Sequence, residues 1–183
     1  MLLDSLFSVY EEAGHADYIG ECVSQLEHMQ QAAWLARHAG ADDALILGAF
    51  FHDIGHLVAS AGAPQMEGLG VLEHERVGAQ YLRDCGFSGR IADLVELHVQ
   101  AKRYLCFSRP GYAQKLSSAS LGTLAFQGGA MSAEEARQFE LHPLFADILR
   151  LRAWDEAAKV KNGDGMDLVE LRTLAQKCRS TQC

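Results

Sequence analysis

Apolar positions recur at helical spacing along most of the chain, and no stretch sustains the alternation of a β-strand, so the pattern predicts an all-α fold. Residues 2–13 mix apolar and acidic positions at that spacing and read as a first short helix. The stretch Gly14 to Glu21, with glycines at both 14 and 20, breaks the pattern and reads as a loop. Ser24 caps the next helix, which runs to about Ala39, and Glu27 completes a capping box. Asp42 or Asp43 opens a helix over 44–54 that is apolar nearly all round, which places it at the centre of the core. Gly55 is placed to end or kink it. Residues 58–72 are glycine-rich and irregular, long enough to be a functional loop rather than a simple connection. Further helices are expected at about 73–85, 88–104, 117–126, 132–140 and 143–158, with a closing surface helix over about 167–177.

Composition narrows the classes open to such a chain. Its 183 residues, 49% hydrophobic and 22% charged, suit one domain over 1–183 with its core over about 15–158. A net charge of -8 argues against a general nucleic-acid binder, while leaving room for a small basic pocket that takes anions. The amino terminus lacks the positive region of a signal peptide, and no apolar run is long enough to span a membrane. Five cysteines (Cys22, Cys85, Cys106, Cys178 and Cys183) form an odd set without CxxC spacing, which points to reduced thiols and a cytoplasmic location.

Chemistry concentrates in Ala49-Phe50-Phe51-His52-Asp53-Ile54-Gly55-His56. Two imidazoles and a carboxylate are costly in a buried helix unless something positive gathers them, and a metal ion does so. His28, His52, His74 and His98 fall on four different expected helices at gaps of 24, 22 and 24 residues, a spacing that lets them converge inside a bundle. Asp53 and Asp155 add carboxylates. Such a set exceeds one tetrahedral zinc and suits two octahedral first-row ions, iron or manganese before zinc. A lone histidine is more often a hydrogen-bonded structural residue, and His15, His38 and His142 are assigned to that class. Lys102 lies one turn beyond His98, His56 one turn beyond His52, and Arg152 about one turn before Asp155, so all three side chains can reach a ligand at the metals. A guanidinium suits two-point contact with an oxyanion, and Ser120 can offer a hydroxyl.

The His…His-Asp…Asp arrangement of His28, His52-Asp53 and Asp155 resembles the HD-domain superfamily, and His74 with His98 matches the extra pair of its dinuclear members. That resemblance implies an HD-type helical bundle in which Asp53 bridges two ions, His28, His52 and Asp155 complete one site, and His74 and His98 complete the other. Tyr18-Ile19-Gly20-Glu21, Gln25-Leu26-Glu27-His28, His52-Asp53-Ile54-Gly55-His56, His98 to Leu105, Gln127-Gly128-Gly129 and Arg152-Ala153-Trp154-Asp155-Glu156 further resemble the organophosphonate-cleaving mixed-valent diiron oxygenases. The implied cofactor is a pair of iron ions, Fe(II)/Fe(III). The implied reactants are O2 and a small phosphonate, 1-hydroxy-2-aminoethylphosphonate or its trimethylammonio analogue, cleaved to phosphate and glycine or glycine betaine. No nucleic acid and no membrane partner is implied. Lys102, Arg152, His56 and Ser120 would bind the phosphonate. Glu21 would pair with a substrate ammonium, and Tyr18 would cover the site or ligate iron until substrate displaces it. Tyr18, His56 and Lys102 are thus the expected catalytic side chains. Tyr18, Phe51, Tyr104 and Phe126 are the aromatic faces considered for a trimethylammonium group. Two rivals stand beside this reading: a metal-dependent phosphohydrolase of the same superfamily, and a metal-free interaction module on a degenerate HD fold.

Overall fold

The most apolar stretch becomes the axis of the structure. In the computed structural model, helix α3 (Asp43–Phe51) has every residue from Ala44 to Phe51 buried. Asp42 sets its start by accepting the Leu45 N–H at 3.0 Å. Before it come α1 (Leu2–Ala13) and α2 (Gln25–His38), the latter opened by the expected Ser24–Glu27 capping box. Phe7 and Tyr10 of α1 stack on Phe50, with ring centroids 6.1 and 4.6 Å away, and Phe51 meets Phe87 edge-on. The structure describes residues 2–18 and 20–181. Ile19 of the Tyr18–Glu21 block and the Cys183 thiol lie outside the described residues.

The helix expected over 44–54 stops at Phe51 and resumes as a single turn, α4 (Gly55–Val58). Between them the hydrogen bonds tighten to the i→i−3 pattern: Ile54 N donates to Phe51 O at 2.9 Å and His56 N to Asp53 O at 3.0 Å. Crowding explains the break. A Cβ on Gly55 would sit 1.9 Å from the carbonyl oxygen of His74. Only glycine lets α5 (His74–Asp84) approach this closely. Glu73, which opens α5, sits at φ 58 in the left-handed region. That strained residue immediately precedes His74.

Next follow α6 (Gly89–Ser108), α7 (Ser118–Phe126), α8 (Ala133–Glu140), α9 (Phe145–Ala157) and α10 (Leu168–Thr181). Among the described residues there are ten α-helices and no strand, only isolated bridges such as Gln65 to Val71. Helices α2, α3, α6 and α9 pack on one another, and α5 covers α6. The expected surface helix is longer than the pattern suggested. It packs on α3 and α1, burying Leu171, Ala175 and Cys178. No helix of the described residues is long and apolar enough to cross a membrane.

Candidate metal centre

Four imidazoles meet where α2, the turn after α3, α5 and α6 converge, and their hydrogen bonds settle which nitrogen is available. His52, His74 and His98 each place Nδ1 on the carbonyl three residues earlier, Ala49 at 2.8 Å, Val71 at 3.3 Å and Val95 at 2.7 Å. His28 places Nδ1 on the Ala158 carbonyl at 2.8 Å, just past the end of α9. A carbonyl only accepts, so each Nδ1 carries the proton and each Nε2 of the neutral ring presents a lone pair. Those lone pairs then face one another. Nε2 of His28 lies 3.0 Å from that of His52, and Nε2 of His74 lies 3.3 Å from that of His98.

Two carboxylates join the same pairs. Asp53 turns Oδ2 to the first pair, at 3.8 and 3.4 Å from His28 and His52, and Oδ1 to the second, at 3.3 and 3.5 Å from His74 and His98. Asp155 brings Oδ1 to the first pair at 3.4 and 3.7 Å. Donors held about 2.1 Å from one ion stand about 3.0–3.5 Å from each other, close to the 3.0–3.8 Å seen here. All six side chains are buried. Burying carboxylates without positive charge costs several kcal/mol each, and apposed lone pairs add repulsion. The donor set therefore fits metal ions, one on each side of Asp53.

The electrostatics carry the same demand for a cation. Burial opposes ionisation of Asp53, yet His52 and its neighbours hold the carboxyl well below its ordinary range; Arg152 and the histidines do the same for Asp155. Burial lowers His52, but the Asp53 carboxylate outweighs it and raises the imidazole to about 9, so a proton on its Nε2 takes the place there that a metal cation would otherwise fill. His56 behaves differently. It stacks on His74 at 4.0 Å, and burial together with the charge of His74 lowers it to about 3, so it is neutral at pH 7. It can be grouped with Asp53 and His74 as a third set of potential ligands. Its hydrogen bond argues otherwise: Val71 N donates to Nδ1 at 3.1 Å, leaving Nε2 protonated and a donor.

A cavity of about 260 Å³ opens beside the cluster. His74, His98, Asp53 and Asp155 line it and His28 and His52 do not, so the second pair is the accessible one. Lys102 lines the wall with Nζ 2.7 Å from Thr123 Oγ1 and 3.3 Å from Ser120 O. Burial, reinforced by Arg152, lowers its ammonium to about 7. Arg152 donates from Nη1 to Asp155 Oδ2 at 2.5 Å and from Nε to Glu156 at 2.9 Å and Tyr112 at 3.2 Å. Its buried Nη2 has no partner, although the residue lines the cavity. A buried guanidinium nitrogen left open is a place for an anionic oxygen.

Tyr18 lies flat on His28 at 4.2 Å and donates its hydroxyl to Asp53 Oδ2 at 2.8 Å; burial and Asp53 hold that hydroxyl well above its ordinary pKa. Glu21 lines the cavity, but its carboxylate is engaged by Lys159 at 2.6 Å. Ser120 lines it too, with Oγ 3.5 Å from the Lys159 ammonium. Of the four aromatic residues considered for an ammonium, only Tyr18 reaches the cavity. Phe51 is fully buried in the ring cluster, Tyr104 bonds Glu140, and Phe126 is partly exposed, so the correction is one of helix face. His38 and His142 bond nearby backbone at 2.9 and 3.2 Å, and neither they nor His15 line the cavity.

Sequence reasoning missed Lys159, Thr123 and the Tyr112–Glu156 support of Arg152. Gln25 and Gln127 fall inside the resembling blocks without a role there. Both line the cavity with buried, unpartnered Oε1 atoms, and the run of small polar residues on α7 was the one signal that could have pointed to Thr123.

Comparison with known proteins agrees with this geometry. Residues 25–141 match the HD domain family. An uncharacterized protein of Acanthamoeba polyphaga mimivirus is 43% identical over 159 residues, covering 86% of this chain and 73% of that protein. The [1-hydroxy-2-(trimethylamino)ethyl]phosphonate dioxygenase (glycine-betaine-forming) of Leisingera caerulea is 36% identical over 96% of this chain and 89% of its own. A hydroxymethylphosphonate dioxygenase of Gimesia maris is 39% identical over 95% of this chain and 86% of its own.

Proposed function

Because the chain belongs to the HD-domain family and to its phosphonate-cleaving oxygenase branch, we propose that it oxidatively cleaves the C–P bond of a 1-hydroxyalkylphosphonate with O2. The products are inorganic phosphate and a carboxylic acid. The observation that carries this reading is Asp53, whose two oxygens face two separate pairs of imidazole lone pairs. The reaction balances without an external reductant. One O2 accepts the electrons released as C1 is oxidised to the carboxylate level and C–P is replaced by P–O. The two dioxygenase relatives differ in what they carry beyond the hydroxyl-bearing carbon, so the 1-hydroxyphosphonate is the shared element.

His28, His52, Asp155 and Asp53 would hold one iron, and His74, His98 and Asp53 the other. When bound, a mixed-valent Fe(II)/Fe(III) pair supplies O2 activation and the redox chemistry that hydrolysis lacks. The protein's own groups do the rest. Arg152 Nη2 and the Lys102 ammonium take phosphonate oxygens, with the His56 Nε2–H as a neutral donor and the Ser120 hydroxyl beside them. Tyr18 holds its proton on Asp53 Oδ2 until substrate enters. The Tyr112–Glu156 pair keeps Arg152 aimed, because both accept from its Nε. Free thiols on Cys22, Cys85 and Cys106 accord with a cytoplasmic location.

The test is phosphate release from 1-hydroxyphosphonates by iron-loaded protein, in air and under strict anaerobiosis. Release that needs both iron and O2 is expected. Turnover of a phosphate ester without O2, and none of the phosphonates, would place the chain among HD phosphohydrolases instead.

A further inference from the structure

Three residues past the cluster's last ligand, the chain leaves α9 through a clamped segment. Ala158 O is held by His28 Nδ1, and Val160 is held on both sides by Gln31, which donates to its carbonyl at 2.8 Å and accepts its N–H at 3.1 Å. The residue between them, Lys159, is therefore placed by main-chain bonds to α2. Its ammonium reaches the cavity wall, 2.6 Å from Glu21 Oε1, 3.4 and 3.5 Å from the hydroxyls of Ser117 and Ser120, and 5.5 Å from the centroid of the Tyr18 ring. Both members of the pair are largely shielded, with side chains 13% and 11% exposed.

A substrate ammonium in this cavity would need a carboxylate or an aromatic face. Outside the metal cluster, Glu21 is the one carboxylate among the lining residues, and Tyr18 is the one aromatic ring besides the histidines. Lys159 engages both. A substrate cation would have to displace it, stranding a third positive side chain beside Lys102 and Arg152. An uncharged substituent meets no such conflict, because the Glu21–Lys159 pair is neutral as a unit.

Resting on the function proposed above, we infer that Lys159 is a specificity-determining residue that excludes cationic substituents. The preferred substrate is then a 1-hydroxyphosphonate bearing no ammonium, hydroxymethylphosphonate being the simplest. The amino and trimethylammonio compounds implied by sequence resemblance become the disfavoured members of the class.

The experiment compares hydroxymethylphosphonate, 1-hydroxy-2-aminoethylphosphonate and its trimethylammonio analogue, using iron-loaded protein. Phosphate release is measured in air, and equilibrium binding of each compound is measured anaerobically. Wild type should favour the uncharged compound by about tenfold or more in kcat/KM and bind it more tightly. Lys159→Met, which frees Glu21, should raise the cationic-to-uncharged ratio by about tenfold, mainly through KM. Lys159→Gln, which keeps a polar group for Ser117 and Ser120, should shift the ratio the same way and serves if the methionine variant folds poorly. Equal or better use of an ammonium substrate by wild type, or an unmoved ratio in a folded variant, would overturn the inference. If no compound releases phosphate, the proposed function fails, and the anaerobic binding order alone decides the role of Lys159.

Discussion

At the scale of single residues, Lys102 shows the tension between stability and recognition most directly. Burial takes its ammonium from an ordinary 10.5 to about 7. Below pH 7 the folded and unfolded chains both hold the proton, and folding bears the full cost of burying the charge. Between about 7 and 10.5 the folded chain sheds the proton that the unfolded chain keeps, so this group's contribution to stability improves as pH rises. Lys102→Met should therefore melt higher than wild type near pH 6, with the gap closing toward about pH 10, both proteins being in the same metal state. The same variant should lose about 100-fold or more in kcat/KM on a phosphonate. A lower melting temperature for Lys102→Met at every pH would refute this account. Lys102 was legible in sequence because it sits one helical turn from His98. Lys159 was not, since its meaning comes from Glu21, 138 residues away, and no local pattern marks a lysine just beyond a helix.

Among the elements, the interruption after α3 does the most positioning. Periodicity predicted one helix through Ile54 and marked Gly55 as a stop or kink, which is as far as a local signal reaches. The tightened turn answers a nonlocal demand, the passage of α5 across the backbone at Gly55. It also directs Asp53 between the two histidine pairs, so the crossing and the metal centre share one cause. Gly55→Ala would push a methyl group into the His74 carbonyl. The expected loss is about 3 kcal/mol or more, roughly 6–12 °C in Tm, together with weaker metal retention. Thermal melts and iron content of the purified variant check both, and a drop of under about 2 °C would show that the crossing relaxes easily. By contrast, the capping box at Ser24 is a local sequence signal and appears as expected, and a second box forms at Ser132 with Glu135.

For the whole molecule, the metals should act as a central fastening. Their proposed ligands come from α2, the turn after α3, α5, α6 and α9, so loading stabilises helices far apart in sequence and relieves the buried carboxylates. Stripping iron with a chelator should lower Tm by roughly 6–12 °C, equivalent to about 3 kcal/mol, and reloading should restore it. No change in Tm would argue that the cluster is satisfied without metal. Helix positions were readable from period and caps, but which helices touch was not. The closing helix looked superficial for that reason, although Leu171, Ala175 and Cys178 help seal the core. One feature of the inner cluster reaches beyond this chain. All four cluster imidazoles are oriented by main-chain carbonyls, at Ala49, Val71, Val95 and Ala158. Every amino acid brings its own carbonyl, so no replacement at those four positions deletes the acceptor. The wall that meets substrate is built instead from exchangeable side chains such as Glu21, Lys159 and Thr123. Descendants of such a chain can drift toward new substrates by altering the wall, while the orientation of the inner histidines is inherited with the backbone.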